Sequence, residues 1–187
     1  MKRLYVLFVF LGLLLVSCSN EQQSPVAPTD QNSLTKNIIR DFTGIDYPTG
    51  LIDPGTTTEH NGIMKIRDMH QSFVLEATFI DGEVDILSGE GDLELNANID
   101  WNNGTAFWWG KKTLTPSAPE ALGGQFKINW HGSGTLSASG WTLLLDEVGH
   151  GEGGALTSIQ CFFSNTITSP PELSPWMGDI DGYLKTH

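Results

Sequence analysis

The chain has only two cysteines in 187 residues, and only ten basic residues against 22 acidic ones. Two cysteines cannot form the framework of a disulfide-rich secreted domain. A formal net charge of −12 argues against nucleic acid as a partner, because binding nucleic acid requires a basic surface that neutralises phosphates. The same charge disfavours docking on an anionic lipid surface.

The sequence also lacks the short motifs that mark common catalytic and cofactor sites. It contains no Gly-x-Ser-x-Gly elbow, phosphate-binding loop, HExxH pair or CxxC pair. Ser133, His131 and Asp146 supply the residue types of a hydrolytic triad, but nearness in sequence does not define their geometry. We therefore expect no cofactor, and we expect binding or a structural role rather than catalysis.

The first hydrophobic run follows Met1-Lys2-Arg3 directly. Its length of about a dozen apolar residues fits a secretory signal and falls short of the ~20 needed for a membrane-spanning helix. The run ends in Leu15-Val16-Ser17-Cys18, which resembles the lipobox of bacterial lipoproteins. The resemblance implies cleavage before Cys18 and acylation of that residue, with palmitate as a typical chain. Because Ser19 replaces the Asp that signals inner-membrane retention in that family, it also implies the outer membrane.

Three segments follow from this interpretation. Residues 1–17 are the predicted signal peptide, residues 18–35 a polar, proline-containing tether, and residues 36–187 a single domain. Two or more acyl chains hold a protein on a membrane effectively permanently, so we expect a cell-envelope protein attached through its N-terminal lipid. With Cys18 acylated, Cys161 has no disulfide partner, and its hydrophobic neighbours predict a buried thiol.

The domain reads as nearly all β. From Asp92 to Asp100, apolar and polar residues alternate without a break, which is the pattern of a half-buried strand. Asp81-Gly82 is a hairpin signal. Other strand candidates are GIMKIRD, SFVLEATFI, DGEVDIL, TAFWWGKKTL, GQFKINWHG, GTLSAS, WTLLLDEV, ALTSIQCFFSNT and DGYLKT.

About ten short, evenly spaced strands indicate an antiparallel β-barrel, with a β-sandwich as the alternative. Glycines inside the strand runs favour closure, since they can supply the kinks of barrel corners; they are Gly132, Gly134, Gly149, Gly151, Gly153 and Gly154. The stretch from His131 to Thr166 and the closing GDIDGYLKT resemble small barrels of the calycin or allene-oxide-cyclase-like kind. That resemblance implies a calycin-like barrel and identifies no catalytic residue.

Six tryptophans are many for a domain of this size, and four are ligand-binding candidates: Trp108, Trp109, Trp130 and Trp141. If these side chains line a barrel mouth, they would bind an apolar ligand. If they are exposed in a row, they would stack on a sugar. Otherwise they fill the core. Adjacent residues of a strand point to opposite faces, so one of Trp108 and Trp109 should face outward.

An internal repeat, His131-Gly132-Ser133-Gly134 and His150-Gly151-Glu152-Gly153, provides the metal candidates His131, His150 and Glu152. Imidazole and carboxylate are the usual zinc ligands. The alternative interpretation is that these histidines are ordinary turn residues.

The sequence thus favours a lipid-anchored cell-envelope protein that holds an apolar or small-molecule ligand at a barrel mouth. Two alternatives stay open. One is a carbohydrate-active or cyclase-like enzyme that uses His131, His150 and nearby acids, and the other is a structural or partner-binding surface lipoprotein.

Overall fold

The computed structural model describes residues 38–117, 123–170 and 175–187. The predicted signal peptide and the whole predicted tether, including Cys18, lie outside the described residues. The described part contains one 3₁₀ helix, Gly154–Leu156, and nine strands: β1 Ile39–Asp53, β2 Thr56–His60, β3 Ile63–Phe79, β4 Gly89–Asp100, β5 Thr105–Pro116, β6 Gln125–Ser137, β7 Gly140–Glu152, β8 Ile159–Ser169 and β9 Met177–Thr186.

The strands form a closed antiparallel barrel. From β3 to β9 each strand pairs with its sequence neighbour, and β1 pairs with both β9 and β3. β2 pairs with the first part of β3, and β1 pairs with the second part of the same strand. β1 and β2 therefore share one position in the sheet, and the barrel is eight-stranded. The all-β barrel prediction is confirmed, and the sandwich alternative is not the fold. This sequential order is that of an up-and-down barrel.

Strand boundaries differ from the predicted ones at several points. GIMKIRD and SFVLEATFI form one strand, β3, which carries a bulge at Asp68, where φ is 54°. GTLSAS is part of β6. A turn ends at Gly82, whose N donates to Phe79 O at 3.2 Å, but the predicted hairpin strand DGEVDIL is wrong, because no strand lies between Phe79 and Gly89. Neither β1 nor β2 was predicted.

The predicted alternation of β4 is confirmed by the burial of its side chains. Leu93, Leu95, Ala97 and Ile99 all lie inside the barrel. Close packing requires a glycine at position 149. A Cβ at Gly149 would lie 2.5 Å from Cys161 Sγ and 2.6 Å from Ile128 Cγ1, so this glycine makes room for side chains of neighbouring strands.

The two ends of the barrel are filled differently. At the end where β1 begins and β9 finishes, here called the packed pole, loop residues Ile86 and Leu87 and helix residue Leu156 are buried in the core. The opposite end, called the cavity pole, carries the β4–β5 and β6–β7 turns. Between the cavity pole and the middle of the barrel, side chains do not fill the interior.

Candidate functional site

A cluster of four polar side chains crosses the middle of the barrel; we call it the polar layer. Lys112 Nζ donates to Asp46 Oδ2 and to Glu147 Oε1, each at 2.7 Å. Asn165 Nδ2 lies 3.0 Å from both carboxylate oxygens of Asp46 and from Glu147 Oε1. All four residues are at most 2% exposed. The layer therefore places two carboxylates and one ammonium group in the protein interior.

Strand register explains why these residues point inward. Lys112 is in phase with Trp108 and Leu114 on β5, and Glu147 is in phase with Leu143 and Leu145 on β7. Each follows the period-two alternation of its strand, so the backbone directs the charged side chain into the barrel.

The charges of the layer determine its titration. Burial alone would lower the pKa of Lys112, but the charges of Asp46 and Glu147 raise it to about 12, so the ammonium group stays protonated. Burial raises the pKa of Glu147, and the nearby charge of Asp46 adds to this against the opposing effect of Lys112. One cation thus faces two buried carboxylates, and the pKa of Glu147 lies above its usual value.

Two acceptors of the layer lack a donor within the described residues: Glu147 Oε2 and Asn165 Oδ1. Gly178 of β9 provides the space beside them, because a Cβ at this position would collide with Asp46 Oδ1 and Asn165 Oδ1. The polar layer therefore depends on a glycine of β9, in addition to the four strands that carry its polar side chains.

A cavity of about 300 Å³ lies between the polar layer and the cavity pole. Lys112 forms part of its wall, so the cavity and the layer share a residue. Gln71 and Ser169 are its other polar residues. Its apolar residues are Leu51, Ile66, Met69, Leu93, Leu95, Trp108, Trp130, Leu143, Leu145, Ile167 and Trp176.

Some polar atoms of the residues that line the cavity have hydrogen-bond partners, and others do not. Trp176 Nε1 donates to Gln71 Oε1 at 3.2 Å, and Ser169 Oγ donates to Pro170 O at 3.3 Å. The indole nitrogens of Trp108 and Trp130 are buried with no acceptor in the described part of the chain. Buried N–H groups without a partner are rare in folded proteins, but the indole nitrogen of Trp141, which does not line the cavity, also has no acceptor among the described residues, so this feature is not specific to the cavity.

The four predicted tryptophans occupy different environments. Trp108 and Trp130 line the cavity, whereas Trp141 is buried edge-on against Trp101, with 5.7 Å between ring centroids. Trp109 lies on the outer face, as expected for the neighbour of an inward Trp108. It stacks on Phe107 at 5.6 Å and carries the Arg67 guanidinium 4.9 Å from its ring centroid.

The predicted metal residues lie on the outer surface. His150 Nε2 is 3.2 Å from Glu152 Oε1, and both side chains are exposed. His150 pairs in register with Lys127, four residues from His131, which corresponds to roughly 13 Å along the sheet. No cluster of three His, Cys, Asp or Glu residues suited to a metal occurs in the described ranges. His131 and Asp146 are register partners, and no hydrogen bond joins these two exposed residues in the structure.

Comparison with known proteins gives no relative: no family model, no curated protein sequence and no solved structure matches the chain. Among the described residues there is no helix of the length and hydrophobicity needed to cross a membrane.

Sequence reasoning missed the polar layer. Asp46 and Asn165 are 119 residues apart in the chain, and their contact depends on the closure of β1 against β9. A usable signal existed in the strands themselves, since Lys112 and Glu147 occupy the apolar phase of two otherwise regular alternating strands. Charged residues in that phase indicate a buried ion pair or a polar site.

Proposed function

We propose that this chain is a lipid-anchored cell-envelope protein whose barrel holds a small apolar ligand. The anchor rests on the lipobox at Leu15 to Cys18, and Ser19 favours the outer membrane. The binding role rests on one observation, the 300 Å³ cavity beneath the cavity pole. Small eight-stranded barrels either fill their interior with side chains or hold one small ligand there, and this barrel leaves about 300 Å³ of its interior open.

The energetics of the cavity support this proposal. Interiors are normally close-packed, so side chains around unfilled space lose packing contacts that they would otherwise make. A ligand that fills the space restores the missing contacts. The volume, the mainly apolar wall and the few polar groups match the usual make-up of a small-molecule site.

The rim of the cavity pole is also apolar. Leu51 and Ile52 at the end of β1, Ile63 at the start of β3 and Met177 at the start of β9 are all exposed. Exposed aliphatic side chains at a cavity mouth favour the capture of an apolar compound from water. The outer surface gives less support to the alternatives, since its cavity of about 320 Å³ beside His70 is lined mainly by charged and polar residues, and His131, His150 and Trp109 do not line it.

Titration of the full chain with indane, a neutral hydrocarbon of nine carbon atoms, tests the proposal by calorimetry. We expect a dissociation constant below about 1 mM, equivalent to about −4 kcal/mol. Leu95→Phe replaces an aliphatic side chain of the cavity wall with a larger aromatic one and should abolish binding. Leu144→Phe makes the same change at an exposed position of β7 and should leave binding intact. Absence of binding to the unmodified chain, or equal binding by both variants, would refute the proposed site.

A further inference from the structure

We infer that apolar ligands enter and leave the cavity through a side opening of the barrel, between the second half of β1 and Trp176, and that the hydrogen bond from Trp176 to Gln71 keeps this opening closed. This inference rests on the proposed function, because it assigns a path to the same cavity. It follows from the extent of strand pairing, the exposure of the cavity wall and the position of one hydrogen bond.

The barrel wall is interrupted on the side where β1 faces β9. The pairing of these two strands ends at Asp46 and Gly178. Beyond this point β1 continues to Asp53 and pairs with β3 alone, and β2 likewise pairs only with β3. On the other side of the interruption, β8 ends at Ser169, whose register partner lies on β7. Among the described residues, no strand therefore fills the space between the second half of β1 and the end of β8.

The segment that borders this interruption is exposed on both of its faces. Every residue from Thr49 to His60 is exposed, although neighbouring residues of a strand point to opposite faces. Leu51 belongs to this segment and also lines the cavity, with 59% of its surface exposed. Among the other apolar residues of the cavity wall, Met69 is half-buried and the rest are buried. The cavity therefore meets the solvent at Leu51.

One hydrogen bond joins the two sides of the opening. Trp176 directly precedes β9, and its side chain lines the cavity. Its Nε1 donates to Oε1 of Gln71 at 3.2 Å, and Gln71 is the register partner of Leu51 on β3. The indole thus reaches from the β9 side of the opening to β3, and it is almost fully buried there. A bulky ring held by one hydrogen bond covers the opening, and breaking that bond is the step that admits a ligand.

This arrangement predicts a specific kinetic effect. A bond that keeps the opening closed in both the empty and the occupied barrel slows entry and exit equally, so it does not change the dissociation constant. The net contribution of one hydrogen bond corresponds to about a two- to tenfold change in the population of the open form. Removal of the bond should therefore raise both rate constants by this factor.

Stopped-flow mixing of the full chain with iodobenzene measures the two rate constants, because the iodine atom quenches the emission of the tryptophans that line the cavity. Gln71→Leu should raise the association and dissociation rate constants by about two- to tenfold and change the dissociation constant by less than about twofold. Trp176→Phe removes the other partner of the bond and should raise both rate constants similarly. The double variant should show no further increase, because the same bond is absent from all three.

Leu145→Val is the matched control for these variants. Leu145 lines the cavity on β7, which β8 separates from the opening. The substitution removes packing contacts with the ligand, so it should raise the dissociation rate constant and leave the association rate constant unchanged.

A second pair of variants locates the opening. Leu51→Cys and Ile52→Cys place a thiol at adjacent positions of β1 that are exposed to a similar extent, but only Leu51 lines the cavity. In a Cys18→Ala background the introduced thiol reacts with N-phenylmaleimide, whereas Cys161 is protected by its burial. The label at position 51 should lower the association rate constant for iodobenzene by at least about tenfold, and the label at position 52 should leave it unchanged.

The outcomes separate this inference from the proposed function. If both labelled variants take up iodobenzene at the same rate, ligands enter elsewhere and the inference is wrong. If Gln71→Leu raises only the dissociation rate constant, the hydrogen bond does not close the opening. If the unmodified chain binds no apolar compound, the proposed function fails as well. Should Gln71→Leu fail to fold, the labelled variants still decide the path, because both of their positions are exposed.

Discussion

Replacement of Lys112 by Met is the sharpest test of the polar layer. Met has a similar length and no charge, so the change removes both 2.7 Å hydrogen bonds and leaves Asp46 and Glu147 without a cation. Hydrogen bonds to charged groups contribute about 1.5–3 kcal/mol each, and loss of one partner of a buried pair costs about 3–5 kcal/mol. We expect Lys112→Met to lower the free energy of unfolding at pH 7 by about 3–5 kcal/mol, as measured by urea denaturation.

The adjacent lysine provides a matched control. Lys111 points outward on the same strand and is exposed, so Lys111→Met should change the free energy of unfolding by no more than about 0.5 kcal/mol. Equal effects of the two substitutions, or a loss below about 1 kcal/mol for Lys112→Met, would show that the ammonium group is not enclosed between the two carboxylates.

Glu147→Gln tests the same layer without a large loss of stability. The raised pKa of Glu147 means that the folded chain binds its proton more tightly than the unfolded chain does, for which the usual value is 4.5. Its contribution to stability is therefore greatest below that value and is lost as pH rises through the folded pKa. Glutamine cannot lose a proton, so Glu147→Gln should flatten the decline in stability that the unmodified chain shows as pH rises above 4.5. A steeper decline in the variant would contradict the assignment.

Three further predictions follow from burial and from the lipobox. Leu114→Phe should lower the free energy of unfolding by about 1–3 kcal/mol, because Leu114 is fully buried. Leu95→Phe should lower it less, because the new ring enters the cavity. Urea denaturation of both variants measures the difference. Burial, with a smaller effect of the Glu147 charge, raises the pKa of Cys161 to about 12, so its thiol should react with a disulfide reagent at pH 8 only after unfolding; rapid reaction in native buffer would contradict its burial. Cys18→Ala should abolish incorporation of radioactive palmitate, and undiminished labelling of the variant would refute the anchor.

The regular strands could be predicted from sequence because their side chains follow one physical rule. The apolar residues of β4 from Leu93 to Ile99 all face the interior, although Asn96 on the outer face is buried too, and the opposite orientations of Trp108 and Trp109 follow from the same period. β1 does not follow this alternation. It contains Gly44, Pro48 and Gly50, and its register against β3 shifts twice, so no continuous alternation marks it.

The cavity and the polar layer could not be predicted in the same way, because both depend on contacts between distant strands. The single strand β3 bends at Asp68, a residue with a positive φ that no local pattern predicts. Lys112 finds its partners on β1 and β7, and the pairing of β1 with β9 and β3 exists only once the barrel closes. Residue type and phase identify such positions as unusual, but only the closed sheet shows which groups meet.

The position of the polar layer bears on why the barrel has a cavity at all. Burying two carboxylates and an ammonium group is an inefficient way to stabilise a core, since apolar residues of similar volume are often as stabilising or more so. On the packed-pole side of the layer, Phe42, Leu75, Phe126 and Leu184 show that this chain can fill a barrel with apolar side chains. On the other side, Lys112 forms part of the cavity wall, and the indole N–H groups of Trp108 and Trp130 lack acceptors within the described residues. The polar layer therefore lies at the boundary between a packed apolar core and an open cavity, and a mainly apolar cavity with a few polar groups in its wall is the arrangement expected of a binding site.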